Sequence, residues 1–293
     1  MESGLTDAAG FFPPDSELRR IAAELIVFLA SGRALMLQVA HPTVGQGVHD
    51  HSNFRTDALG RGIRTFGSLY IMGFGRQKLA MRVAERVFRV HLKIKGDFPD
   101  GTGARAGRKY SALERDASVW VLATLIEGTK FAYDQVAPGT MVGVRVENLY
   151  HDFKLLGRFF NIQDDQMPPT YGEFQAYFDD MVAHHLEVTP SARKVGKALQ
   201  GTMKLPYAPG NWLMHMLAAE TLPPNVREQF GIRRSAATRA GYQSLRAAMR
   251  AVHNNAPHSL RALPLHWIPE WRIRADRLLG RSSVDVMRGT RTA

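Results

Sequence analysis

The sequence predicts an all-α protein, one multi-helix domain, and three observations carry that expectation. Apolar residues recur at helical spacing along nearly the whole chain. No alternating run of four or more residues reads as a strand. Prolines and glycines break the helical stretches at short connections, with no internal repeat and no low-complexity linker between them.

The elements follow in order. Asp15-Ser16-Glu17 is a cap signal, and Leu18, Ile21, Ala22, Leu25 and Leu29 continue it as a helix over 15–31. A short helix, RALMLQVA, stops at His41-Pro42, because a residue before proline disfavours the helical region. Residues 43–56 read as a loop with turns, consistent with Gly45 and Gly47. A helix is expected over 57–73. Gly73 and Gly75 bracket a break, and the next helix runs over 76–95 to Gly96. Residues 97–109, DFPDGTGARAGRK, read as a surface loop. It is not a phosphate loop, since no lysine and hydroxyl pair follows its glycines. A helix over 112–136 carries Trp120, Leu122, Leu125, Ile126 and Phe131 and stops before Pro138-Gly139. Helices over 142–160, 171–187, 190–202, 209–219, 224–231, 234–253 and 267–280 complete the reading. The helical domain is expected to span 18–281, after an N-terminal extension, 1–17, and before a flexible tail, 282–293.

Composition narrows the chemistry. With 293 residues, 45% of them hydrophobic, the chain can bury one large core. It has no cysteine. That excludes disulfides, iron–sulfur clusters, thiolate-ligated haem, covalently attached c-type haem and a thiol nucleophile. The opening residues lack a basic stretch of the signal-peptide kind, and IAAELIVFLASG is too short for a span and carries Glu24. The expectation is a cytoplasmic protein. The net charge of +11 admits nucleic acid or anionic membrane as partners. The arginines are spread at helical spacing, and neither zinc-finger spacing nor an RNA-binding aromatic signature is present. Nucleic acid is therefore not expected, while peripheral contact with anionic lipid stays open.

Three groups of residues can carry chemistry. His91 lies near the end of the 76–95 helix, on the shoulder of an apolar stripe of Leu79, Val83, Val87, Val90 and Ile94. An inward imidazole can bind iron or hydrogen-bond a carbonyl as an ordinary core residue. Arg61, Arg64 and Thr65 stand at i, i+3 and i+4 and share one helix face. Two adjacent cations repel unless an anion lies between them; haem propionates, a phosphate or acidic side chains would serve, and a solvated basic face is the plain alternative. His41, His49 and His51 form a third group. His-x-His on an extended segment can bind a transition metal with Asp50 or Asp57, though no HExxH accompanies it. His184, His185, Tyr207, His215, His253, His258 and His266 read as ordinary structural or surface residues.

Several of these residues also carry a family resemblance. HPTVGQGVHDHS is followed by D-x-x-x-R-x-x-x-T (Asp57, Arg61, Thr65) and by the histidine of FRVHLKIKG. YSALERDASVWVLATLIEG, with Tyr110 and Trp120, comes next, then HHLEVTPSARKV and LPPNVREQFGI. In this order the chain, over about residues 18–280, resembles the rubber-oxygenase (latex-clearing protein) and MpaB-like catalytic-domain family. The resemblance implies a globin-like helical core holding haem b, with His91 as the proximal iron ligand. It implies that Arg61 and Thr65 are required near the haem. Arg64 falls where latex-clearing proteins carry a distal lysine. Arginine stays protonated and is a poor iron ligand, so the resemblance implies an open or water-bound distal position here. The family's acidic base has no counterpart in its neighbourhood, which offers Gln46; His41 is a candidate substitute. The implied function is a haem b-dependent oxygenase that oxygenates or oxidatively cleaves a C=C bond of an intracellular isoprenoid, lipid or secondary metabolite, using dioxygen. A haem-binding sensor, carrier or peroxidase-like protein, and a non-haem binder of an apolar ligand, are the alternatives.

Overall fold

Helix boundaries in the computed structural model follow the caps and breakers of the sequence. The structure describes residues 10–13, 15–22, 24–52, 58–100, 102, 105–201 and 208–261. The first helix, α1 (Glu17–Ile21), starts where the Ser16 side chain accepts a hydrogen bond from the Arg19 amide. The predicted helix over 15–31 is broken. Glu24 takes an extended conformation that turns its carboxylate inward, and a 3-10 turn covers Leu25–Ala30. Then come α2 (Ser31–Ala40) and α3 (Pro42–His51), with His41 between them.

Helix α3 corrects the loop expected over 43–56 as far as His51; residues 53–56 lie outside the described residues. Pro42 opens it in the first turn, where a missing N–H is harmless. Its glycines serve close packing rather than turns. A Cβ on Gly45 would come within 2.5 Å of the Val39 carbonyl and 3.0 Å of Ala192 Cβ; one on Gly47 would lie 3.1 Å from Ile94.

Next are α4 (Ala58–Phe74) and α5 (Gln77–His91). The second ends before the predicted 95, because residues 95–97 pair with another segment. Strands β1 (Lys95–Asp97) and β2 (Lys109–Ser111) form an antiparallel pair with Gly96 opposite Tyr110. The surface loop expected over 97–109 is the connection of this hairpin.

The rest is helical: α6 (Arg115–Val136), α7 (Val144–Gly157), α8 (Tyr171–Asp180), α9 (Pro190–Gln200), α10 (Ala208–Thr221), α11 (Pro224–Phe230), α12 (Ala236–Asn255) and α13 (His258–Arg261). The predicted 142–160 and 171–187 helices close in a 3-10 turn, Arg158–Phe160, and a π turn, Met181–His185. The 267–280 helix and the 281/282 boundary lie outside the described residues.

This is a mostly-α single domain built around α6. That helix packs on α2, α7, α12 and the Leu25–Ala30 turn. Its Trp120 is fully buried, stacks on Phe178 at 5.2 Å and donates its indole N–H to the Leu37 carbonyl at 2.8 Å. A buried indole keeps its place when its one donor is satisfied. Among the described residues no single helix is long and apolar enough to cross a membrane. Leu25–Ala40 and Pro42–His51 reach that composition only together, and they turn by 95° at His41.

Candidate functional site

Helix α5 buries Ala80, Val83 and Ala84. Ala80, Ala84, Val87 and His91 stand at i, i+4, i+7 and i+11, so they share one face. Val90, expected in the apolar stripe, is 50% exposed. His91 therefore lies within the inward face rather than on its shoulder. The small residues mark that face because they let α4 approach closely; α5 packs along α4 and against the Arg158–Phe160 turn. The His91 imidazole has no hydrogen-bond partner among the described residues. Burial pushes its pKa below the ordinary histidine value, which favours the neutral ring.

Helix α4, the neighbour of α5, carries Arg61, Arg64 and Thr65 in its backbone. The side chains of Arg61 and Arg64 lie outside the described residues, as does Asp57. Thr65 is exposed. The two elements that hold the predicted cofactor residues are thus adjacent. Beyond Thr65, α4 buries Met72, which is 1% exposed, and Leu69 packs against the core.

His41 caps α3 at the bend between α2 and α3. Burial pushes its pKa down to about 4, outweighing the carboxylate of Asp116; the guanidinium of Arg105 adds to the fall. Its Nδ1 is buried without a hydrogen-bond partner. Gln46, 2% exposed on the same helix, donates through Nε2 to Asp50 at 2.8 Å, while its Oε1 is also buried and unpartnered. Buried polar atoms are normally satisfied, so two orphans near one helix start mark a place built for something other than packing.

His49 and His51 do not form the metal site considered from the sequence. They sit on a helix, and residues two apart do not share a helical face. Asp50 is already engaged: Tyr110 donates to it at 2.6 Å, Gln46 at 2.8 Å, and His49 Nδ1 is 2.8 Å away. Burial pushes the Asp50 carboxyl up, but these hydrogen bonds outweigh it and hold the group below the usual range. His51 Nε2 lies 3.1 Å from the Lys95 carbonyl and 3.2 Å from the Tyr110 hydroxyl. Among the described residues no group of three or more His, Cys, Asp or Glu could hold a metal ion. The network instead ties α3 to the hairpin that leaves α5 just after His91. Sequence reading matched Tyr110 to a family pattern without finding its partner, which lies 60 positions away.

The described histidines read from the sequence as structural or surface residues make polar contacts. His215 contacts Gln200 at 2.8 Å, and His184 and His185 both reach Asp180. His253 lies 3.3 Å from the buried Glu24 carboxylate, which Arg261 also approaches. Tyr207 and His266 lie outside the described residues.

The described site is a neutral inward histidine at the end of one helix of a mostly-α domain, beside a helix that carries two arginines in its backbone. The comparison with family models makes the assignment: residues 18–253 match the family described as ER-bound oxygenase mpaB/B'/Rubber oxygenase, catalytic domain, and the chain belongs to that family. Comparison with curated proteins and with solved structures gave no match.

The donor set can be tested against haem. Iron of a b-type haem takes one neutral imidazole on its proximal side, with the second nitrogen free to find a donor or acceptor. His91 meets the first condition by its depressed pKa and unpartnered ring. Among the described residues His91 fits this requirement; the side chains of Arg61 and Arg64 lie outside them.

Proposed function

We propose that this chain is a haem b-dependent oxygenase of an apolar small molecule. The observation that carries the reading is His91: an imidazole kept neutral by burial, unpartnered, on the inward face of the helix that packs on α4. In this reading His91 holds the iron. Arg61, with Arg64 beside it, neutralises the propionates, and Thr65 offers a hydroxyl donor on the same helix. Bound haem supplies the iron at which dioxygen is taken up for transfer to the substrate. His41 stays neutral well below pH 7, so one ring nitrogen can accept and the other donate a hydrogen bond without carrying charge into the site. Gln46 offers a carbonyl oxygen with no competing partner. These two groups take the place of the acidic base that the family resemblance would lead one to seek.

The apolar substrate class has support of its own. Phe28 of the Leu25–Ala30 turn and Phe66 of α4 stand at a 6.0 Å ring separation. Phe28 is 40% exposed, and Trp212 and Leu213 on α10, which packs on the same turn, are each 39% exposed. Exposed apolar side chains around the Leu25–Ala30 turn, one of them against α4, suit an isoprenoid, a lipid or an apolar secondary metabolite better than a charged metabolite. The test is oxygen uptake by the haem-supplemented protein on addition of isoprenoid alkenes. Substrate-dependent uptake with oxygen incorporated into the product supports the proposal. Haem without uptake would favour the sensor, carrier or peroxidase-like reading. Absence of iron-bound haem would favour an apolar-ligand binder.

A further inference from the structure

One position round from its inward face, α5 carries a second apolar stripe. Met81, Phe88 and Leu92, the last just past the helix end, stand at i, i+7 and i+11 and are 46%, 41% and 46% exposed, with Glu85 at i+4 on the same line. The next positions round are cationic: Arg82, Arg89 and Lys93 are all exposed. Over residues 77–95 six lysines and arginines face one acid, Glu85, which lies 4.0 Å from Arg89. The hairpin beyond continues the charge through Lys95, Arg108 and Lys109, all exposed, with Asp97 and Asp100 as its acids. Apolar side chains left in water beside a dense cationic strip are an unfavourable arrangement for an ordinary surface helix, whose outer face should be polar throughout.

We infer that α5 and the β1–β2 hairpin form a docking face for an anionic lipid surface. The apolar stripe enters the boundary between headgroups and acyl chains, while the arginines and lysines meet lipid phosphates and carboxylates. Charge complementarity selects this occupant. A second copy would set this cationic strip against its like. A nucleic acid would use the cations but would leave Met81, Phe88 and Leu92 without a purpose. The inference stands apart from the haem proposal, since vesicle binding and haem content are read separately.

The test uses the full chain, purified after haem supplementation and sedimented with vesicles of phosphatidylcholine alone or with about 30% phosphatidylserine. The expected result is at least about tenfold stronger binding to the anionic vesicles, lost in roughly 0.5 M salt. M81S/F88S should weaken that binding about tenfold while haem content and melting temperature stay unchanged. R82E/R89E should abolish the preference for anionic vesicles. Equal binding to both vesicle types, or none, overturns the inference. So does unchanged binding by M81S/F88S. Loss of haem from M81S/F88S would place the stripe against the cofactor and overturn it too. A dimer that M81S/F88S dissociates, without vesicle binding, would assign the face to a second copy instead.

Discussion

Two buried polar regions of this molecule are built in opposite ways. Around Arg33, every polar group is answered. The guanidinium forks onto Glu127 at 2.7–3.1 Å, donates to the Thr221 carbonyl and lies 4.7 Å from the centre of the Phe131 ring. At His41 and Gln46, and separately at His91, polar groups are desolvated without a full set of partners among the described residues. The first region is what a helical core does with a charge it must bury: satisfy it completely, at the expense of any further use. The second forgoes that stabilisation. Its neutral imidazoles keep lone pairs and N–H groups available, which is the condition for ligating iron or moving a proton. Burial alone thus separates nothing here; the completeness of the hydrogen bonding does.

That contrast can be broken by substitution. The largest effect belongs to the answered region. Glu127→Ala leaves Arg33 desolvated without its carboxylate and should lower stability by roughly 3 kcal/mol, since removing one partner of a buried pair strands the other charge. Thermal or denaturant unfolding reads it, and haem content per folded molecule should not change. A variant as stable as the wild type would mean the pair is solvent-screened and the two regions are not opposites.

His41 comes next, through pH. The folded imidazole takes its proton only near pH 4, whereas an unperturbed one does so near 6.5. Between those values the unfolded chain binds more protons, so stability falls as pH drops through this window, by about 1.4 kcal/mol per unit and roughly 3 kcal/mol in all. His41→Gln should flatten the acid side of the stability profile between pH 6.5 and 4 and leave the neutral side nearly unchanged. An acid limb of equal slope in the variant would show that His41 is not desolvated in the folded protein.

Tyr110→Phe should have the smallest effect. It removes the 2.6 Å hydrogen bond to Asp50 and should cost about 1.5 kcal/mol, a usual figure for a bond to a charged group. Asp50 would lose one of the donors that hold its carboxyl low, so the loss should shrink in acid as that carboxyl is protonated. No loss of stability would mean that the ring's packing against Phe98, at 5.5 Å and kept in the variant, matters more than the hydroxyl.

Most helices were legible because their periodicity and their breakers agree. Pro42 ends α2 at the expected residue, and Gly231, at φ 69°, closes α11 where the sequence placed its end. Helix α3 was not legible. Its glycines imitate loop signals, yet they are there because Val39, Ala192 and Ile94 leave no room for a Cβ. The facing of His91 was read from the larger apolar residues, which pointed to Val90. The buried face is the one with Ala80 and Ala84, and small residues give a weak hydrophobic signal while marking the closest contact. Glu24 turned inward to His253 and Arg261 could not be foreseen, since its partners lie more than two hundred residues away. The same holds for the orphaned Nδ1 of His41, because lack of a partner is a property of the assembled fold.

The most direct test of the account is the oxidised and reduced absorption spectrum, with a pyridine haemochrome assay, of the haem-supplemented protein and of His91→Ala. The account predicts one b-type haem per wild-type chain and its loss in a variant that still melts cooperatively. A variant that keeps full haem with an unchanged spectrum would contradict the ligand assignment, and a wild-type chain that takes up no haem would contradict the proposed chemistry as a whole.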